Sequence, residues 1–268
     1  MPPRKRFRQK GFTPTPSPRP GASGGGSFWI YGHHAVTTAI ANPRRLVRRL
    51  LAVEPESQQL PALAGRAVER TDPAALASLL PQGAVHQGVA ALVDPLALVD
   101  LGELLEDLPA EVPARVLLLD QVTDPQNVGA ILRSAAALGA SAVILTERHA
   151  APESGALAKA ASGALDVLPL VRVVNLSRAI EALKQAGFWC LGLAAEGDMT
   201  LAEAKPPPRA ALVLGSEGSG LRRLTREHCD QLVRLPTRGP IDQLNVANAA
   251  AVALYELVRE APAAPRSN

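Results

Sequence analysis

The chain has 268 residues, 47% of them hydrophobic and 3% aromatic, enough for a core of Ala, Val, Leu and Ile in one large or two modest domains. No apolar run reaches the roughly 18–20 residues that span a bilayer, and no charged-then-apolar leader opens the chain; we expect a soluble cytoplasmic protein with no membrane partner. The net charge is +3, yet the first 27 residues hold six bases (Arg4, Lys5, Arg6, Arg8, Lys10, Arg19) and no acid, and without them 22 bases face 25 acids.

That basic, Pro/Gly/Ser-rich arm (1–27) cannot bury enough apolar surface to fold alone. It either keeps the chain soluble or meets nucleic-acid phosphates, an attraction independent of sequence. A first compact α/β unit follows over 28–94. Its expected elements are a helix from His34 to Ile40, a strand from Val47 to Val53 and a helix from Leu60 to Gly65. A short strand at Val68, a helix from Pro73 to Leu80 and a strand from Gly88 to Val93 complete it.

Residues 95–113, with Pro95, Pro109 and Pro113, read as a linker carrying one short helix. A second unit spans 114–262, before a C-terminal tail at 263–268. Val116–Leu119 is a continuous apolar run, as expected of a strand buried on both faces. Val128–Leu138 has helical periodicity, with Gly139 where a C-cap belongs. Further strands are expected at 142–145, 188–194, 211–214 and 232–235, and helices at 176–186 and 246–258. Strands alternating with helices imply an α/β fold with a parallel sheet. Cys190 and Cys229 have no metal-ligand spacing and read as buried free thiols; no metal site is expected.

Three loops follow strands of this second unit and should open at the carboxyl edge of its sheet, where open α/β sheets bind ligands. They are Asp120 to Asn127, leading into the helix of Arg133; Gly215-Ser216-Glu217-Gly218-Ser219-Gly220; and Leu235 through Gln243-Leu244-Asn245. The glycine loop matches neither the phosphate-binding Walker loop nor the dinucleotide fingerprint, and Ser216 lacks the context of a nucleophile elbow. It is either a tight turn at a helix start or a loop that lets backbone approach a ligand closely. Asn127 and Asn245 suit helix N-caps as well as ligand contacts. Glu217 suits a capping carboxylate as well as a partner for Arg133 or the nucleotide. The arginines at 44, 45, 48 and 49, and at 222, 223 and 226, form basic faces that either meet phosphate or are simply solvated.

The runs Leu119-Asp120-x-Val122-Thr123-Asp124-Pro125-x-Asn127-x-Gly129-Ala130-x-x-Arg133-Ser134-Ala135, Leu214-Gly215-x-Glu217-Gly218-x-Gly220-Leu221-Arg222-Arg223-Leu224 and Leu244-Asn245-Val246 resemble, in order and spacing, the three motifs of the SpoU/TrmH class of RNA 2′-O-methyltransferases. Tyr31-Gly32-x-His34-Ala35-Val36 and Gly83-Ala84-Val85-His86-Gln87-Gly88 resemble the branch acting on a guanosine of 23S ribosomal RNA. The resemblance implies a SPOUT fold with a trefoil knot behind a small ribosomal-protein-like RNA-binding domain. It also implies a homodimer with the active site at the subunit interface, and S-adenosyl-L-methionine as methyl donor.

By the same resemblance Gly215, Leu235 and Leu244 contact the donor, with Gly218 in the glycine loop and Gly192 and Gly197 bounding a further pocket loop. Arg133, Asn127, Glu217 and Asn245 are then the catalytic candidates. Arg133 holds phosphate and offsets charge on the 2′-oxygen rather than acting as base, because a guanidinium stays protonated in proteins. The chain departs from the family at Gln243, where a serine usually precedes Leu-Asn-Val. The competing readings are a transfer-RNA 2′-O-methyltransferase, against which the 28–94 unit argues, and a catalytically silent RNA-binding or ribosome-assembly factor, against which the intact Asn127, Arg133, Glu217 and Asn245 argue.

Overall fold

The computed structural model describes residues 26–54, 56, 67–240 and 243–259. The expected helix over 60–65, most of the basic arm and the C-terminal tail lie outside them.

The first unit is a four-stranded sheet in the order β1-β4-β2-β3, with β1 Phe28–Tyr31, β2 Val47–Ala52, β3 Glu69–Arg70 and β4 Val89–Val93. β4 pairs antiparallel with β1 and β2, while β3 adds parallel to β2. Helix α1 (His33–Ala41) follows β1, and α2 (Pro73–Ser78) starts at Asp72, whose carboxylate accepts from the Ala74 and Ala75 amides. Sequence reading missed β1 because four apolar residues give too short a run to show a period; pairing with β4 makes them a strand. The short strand expected at Val68 lies one residue later, on the exposed pair Glu69–Arg70, where pairing with Leu51 and Ala52 outweighs hydrophobicity.

The second unit is a seven-stranded, wholly parallel sheet ordered β7-β6-β5-β10-β8-β11-β9. Its strands are β5 Ala114–Asp120, β6 Ala142–Thr146, β7 Leu170–Val173, β8 Trp189–Leu193, β9 Met199–Thr200, β10 Arg209–Gly215 and β11 Gln231–Arg234. Helices α4 (Pro125–Ala137), α5 (Gly155–Ala161), α6 (Ala164–Val167), α7 (Leu176–Gln185), α8 (Leu201–Ala204), α9 (Arg223–His228) and α10 (Val246–Val258) connect or flank them. The central strands are buried on both faces, as their unbroken apolar runs require. Two strands, β7 and β9, were not expected: Arg172 interrupts the first apolar run, and the second is two residues long.

The 95–113 segment is not a free tether. Val99 bridges to Val171, and Leu104 of helix α3 (Leu101–Glu106) is buried in the core beside β5 and β6. Arg209, buried at the start of β10, donates to the carbonyls of Leu108, Pro109 and Val112. A buried guanidinium needs acceptors, and the segment supplies them. One apolar core runs through both units, placing Ile30, Val36, Leu50 and Val93 in the same cluster as Leu157 and Leu165. Among the described residues no helix is long and apolar enough to cross a membrane, and no group of His, Cys, Asp and Glu is arranged to hold a metal.

Candidate active site

Strand register fixes where the three loops meet. Gly215 pairs with Asp120, so β5 and β10 end side by side, β8 lies next to β10, and β11 lies next to β8. A cleft of about 330 Å³ opens at this carboxyl edge. Its walls come from Leu193 to Glu196 after β8, Leu214 to Leu221 after β10, and Leu235, Thr237, Gln243 and Leu244 before α10.

Most of the wall around the glycine loop is backbone. A Cβ on Gly215 would lie 2.0 Å from the Gly220 carbonyl carbon and 2.3 Å from the Leu221 nitrogen, so only glycine lets the loop fold back onto its strand. The Gly220 amide donates to the Ser216 carbonyl at 3.0 Å and closes that turn. Gly218, at φ +88, has open space where a side chain would stand. Leu244 is 45% exposed at the lip, an apolar group held at the mouth of a polar cleft. Gly192 and Gly197 do not line the cleft. Gly192 sits inside β8 against Leu232, Leu221 and Cys229, and Gly197 against the Val233–Arg234 backbone. The wall is made by the residues between them.

At the rim the three motifs are joined by side chains. The Asn245 amide nitrogen donates to Glu217 Oε1 at 2.6 Å and to Asn127 Oδ1 at 2.9 Å, and the Asn127 amide donates to Glu217 Oε1 at 3.1 Å. Asn245 also caps α10, its Oδ1 accepting from the Ala247 and Asn248 amides. Asn127 is not an N-cap: Asp124 caps α4, accepting from the Gln126 amide, and the Asn127 amide is left for the rim. Glu217 caps nothing either, since Arg222 holds the cap position of α9 without a side-chain bond.

Under the rim, Asp120 is fully buried and accepts from the Arg222 amide at 3.1 Å and from Arg222 Nε at 2.7 Å. This clamp ties the first motif loop to the second. Glu196 and Arg226, both on the cleft wall, form an ion pair, and the Arg226 hydrogen bond holds the Glu196 carboxyl below the usual carboxylate range. Sequence reading had no signal for this pair beyond the break after β8. Arg223 pairs with Glu227. Arg133 lies on the exposed face of α4, and its guanidinium has no hydrogen-bond or ion-pair partner among the described residues.

The first-unit arginines divide. Arg44, Arg48 and Arg49 are exposed, the last two paired with Asp94 and Glu69. Arg45 is no part of a basic face: it is buried between the two units. Both cysteines are free, but only Cys190 is buried as expected; Cys229 is half-buried, and desolvation pushes each thiol up to about 12.

Residues 114–255 match the SpoU rRNA Methylase family, and residues 29–99 match the RNA 2′-O ribose methyltransferase substrate binding family. The chain is 39% identical over 239 residues to an uncharacterized tRNA/rRNA methyltransferase of Synechocystis sp., with 86% of this chain and 62% of that relative covered. It is 41% identical over 239 residues to the 23S rRNA (guanosine-2′-O-)-methyltransferase RlmB of Pseudomonas putida, with 86% and 96% covered. The solved structure of the SpoU methyltransferase AviRb from Streptomyces viridochromogenes, in complex with the cofactor AdoMet, superposes with a TM-score of 0.72 at 30% identity, over 88% of this chain and 90% of that one.

Proposed function

The chain belongs to the SpoU rRNA methylase family, and from that premise we propose that it transfers a methyl group from S-adenosylmethionine to the ribose 2′-hydroxyl of a guanosine in 23S ribosomal RNA. The observation that carries the reading is the cleft itself. Three loops from remote parts of the chain meet at one carboxyl edge and are joined there by Asn127, Glu217 and Asn245. In this reading residues 28–94 receive the RNA, residues 114–262 carry the chemistry, and residues 95–113 strap the two together.

The cleft suits the donor. It offers the backbone of Gly215 and Gly218 for hydrogen bonding, and Leu193, Leu214, Leu235 and Leu244 as apolar surface for a flat base and an aliphatic chain. A Cβ at Gly215 would push the glycine loop out of place. When bound, S-adenosylmethionine supplies an electrophilic methyl carbon on its sulfonium. The chain aligns the ribose oxygen with that carbon, keeps water out and offsets charge on the oxygen as its proton leaves. A guanidinium is a hydrogen-bond donor and not a base in proteins, so Arg133 holds the neighbouring phosphate and stabilises the developing 2′-oxyanion, while a phosphate oxygen or water takes the proton. Asn127, Glu217 and Asn245 hold the two sides of the mouth in register.

The unpartnered Arg133 fits an active site completed by a second copy. Helix α10 packs on α4 and leaves Val252 and Tyr255 47% and 59% exposed, one turn apart on the same face. We infer that a homodimer covers that face and that Arg133 of one protomer serves the other's cleft, as the resemblance to the family implies.

The test is methyl transfer from labelled donor to 23S rRNA, with 2′-O-methyl sites mapped in the presence and absence of the protein. One guanosine ribose gaining the label is expected. RNA binding without donor binding or transfer would overturn the reading in favour of a silent RNA-binding factor.

A further inference from the structure

We propose that Arg45 is a positioning residue that locks the substrate-binding unit onto the methyltransferase sheet of its own chain, so that bound RNA meets the cleft in a single register. The proposal rests on the methyltransferase reading above and adds to it a fixed relation between two units that a flexible tether would leave loose.

The Arg45 side chain is wholly buried at the junction. Its Nε donates to Asp166 Oδ1 at 2.7 Å, and its Nη1 donates to Glu153 Oε2 at 3.0 Å and to the Asp94 carbonyl at 2.9 Å. The carboxylates are held in turn: the Asn42 amide donates to Asp166 at 3.1 Å and the Leu96 backbone amide to Glu153 at 3.3 Å. Asn42, Arg45 and Asp94 come from the first unit, Glu153 and Asp166 from the second.

Buried charge is a poor way to gain stability, since apolar side chains of similar volume serve as well or better. The remaining nitrogen, Nη2, is buried with no partner among the described residues, a further cost. What such a cluster supplies is uniqueness. Only one placement of the two units satisfies the guanidinium with two carboxylates and a carbonyl, and a small slide leaves a charge buried and unpaired.

The rest of the seam is built for close approach. A Cβ at Gly155 would lie 2.4 Å from the Trp29 carbonyl oxygen, and one at Gly163 would lie 2.5 Å from Thr38 Oγ1, so β1 and α1 rest directly on α5 and α6. Farther along α5, Lys159 Nζ donates to Gln87 Oε1 at 3.2 Å, and Gln87 Oε1 also accepts from the His33 amide. Helix α5 then meets α4 equally tightly: a Cβ at Gly129 would fall 2.5 Å from Ala160 Cβ and 2.6 Å from the Leu157 carbonyl oxygen. The substrate unit is therefore in close contact, through α5 and α6, with the helix that carries Asn127 and Arg133.

Removing Arg45 alone would strand two carboxylates, so the test is the full-length triple variant Arg45→Leu, Glu153→Gln, Asp166→Asn, which removes all three charges of the cluster. It is compared with the parent and with Arg45→Lys for donor affinity by calorimetry, radius of gyration in solution, and kcat and KM on 23S rRNA. Expected for the triple variant are a donor Kd within about twofold, kcat within about threefold, KM raised about tenfold or more, and a larger radius of gyration, with Arg45→Lys falling between it and the parent. Parent-like KM and dimensions would overturn the proposal, as would a fall in donor affinity and kcat in step with KM, the mark of a merely structural loss. Should the parent itself neither bind donor nor transfer methyl, the methyltransferase reading fails instead, and the radius of gyration still decides whether the seam is locked.

Discussion

Two polar clusters hold this molecule together across long stretches of chain. At the rim of the cleft, Asn245 and Asn127 are 118 residues apart; at the seam, Arg45 and Asp166 are 121 apart. The rim cluster is open to solvent and consists of two amides and one carboxylate. Each member can exchange a partner for water or ligand at little cost. The seam cluster is buried and built around one guanidinium and two carboxylates, and loss of one of these leaves an uncompensated ion at a cost of about 3–5 kcal/mol. Adaptable polar groups therefore surround the place where ligands must enter and leave. Unforgiving ones lie where two bodies must keep one relation.

The sharpest way to test that division is at the arginines, since Arg45 spends its charge inside the protein and Arg133 keeps its charge free. Arg133→Ala should lower turnover by about 100-fold or more, the scale of losing one key electrostatic group, and leave donor affinity within a few-fold. Single-turnover methylation and donor calorimetry measure the two effects. Normal turnover would remove Arg133 from the chemistry and leave it a solvated surface charge.

Next in size is the cleft wall. Gly215→Ala places a Cβ within 2.3 Å of three backbone atoms, and backbone cannot rotate aside. An overpacking cost of about 2 kcal/mol corresponds to roughly a 30-fold loss of donor affinity. Melting temperature should change far less, because the loop is at the edge of the fold. Unchanged calorimetric affinity would mean that the donor does not use this loop.

At the rim itself, Glu217→Ala removes the acceptor shared by Asn127 and Asn245. About a tenfold loss of kcat/KM is expected, in line with about 1.5 kcal/mol for a hydrogen bond to a charged group. Because both amides can turn to water, stability should hardly move. A fall in melting temperature as large as that of a seam variant would erase the distinction between the clusters.

The same distinction separates what could be read in the sequence from what could not. The central parallel strands were legible because burial on both faces demands unbroken apolar runs, as at Val116–Leu119, and the last helix was legible from its alanines and Asn245. The three loops were legible as motifs, and the structure brings Asn127, Glu217 and Asn245 together. Arg45 was not legible. Beside Arg44, Arg48 and Arg49 it looks like one more surface base, and only tertiary packing shows that it points inward. The one short helix of the 95–113 segment was legible, but its packing was not, for a related reason: its prolines signal a break in regular structure, while its packing depends on carbonyls that any residue would offer to Arg209. Gly192 and Gly197 were named for a loop whose wall is formed by the residues between them, a distinction of facing that glycines do not encode.

The smallest effect expected is at Gln243, where the family usually has serine. Gln243 lines the cleft beside Leu244 and is exposed, so it belongs with the adaptable groups. A serine hydroxyl is a weak base without an activating partner, and a glutamine amide cannot take a proton at neutral pH, though it offers one acceptor and two donors. Whatever this position does must be within reach of both side chains, and hydrogen bonding to ribose or donor is what they share. Gln243→Ser should therefore keep parent activity to within about twofold. Gln243→Ala should lose about 1 kcal/mol, roughly fivefold in kcat/KM, the usual worth of one neutral hydrogen bond. Single-turnover methylation by the three forms decides it. A parent without activity that gains it as Gln243→Ser would make the hydroxyl indispensable, and would turn this rim from an adaptable cluster into one waiting for a missing group.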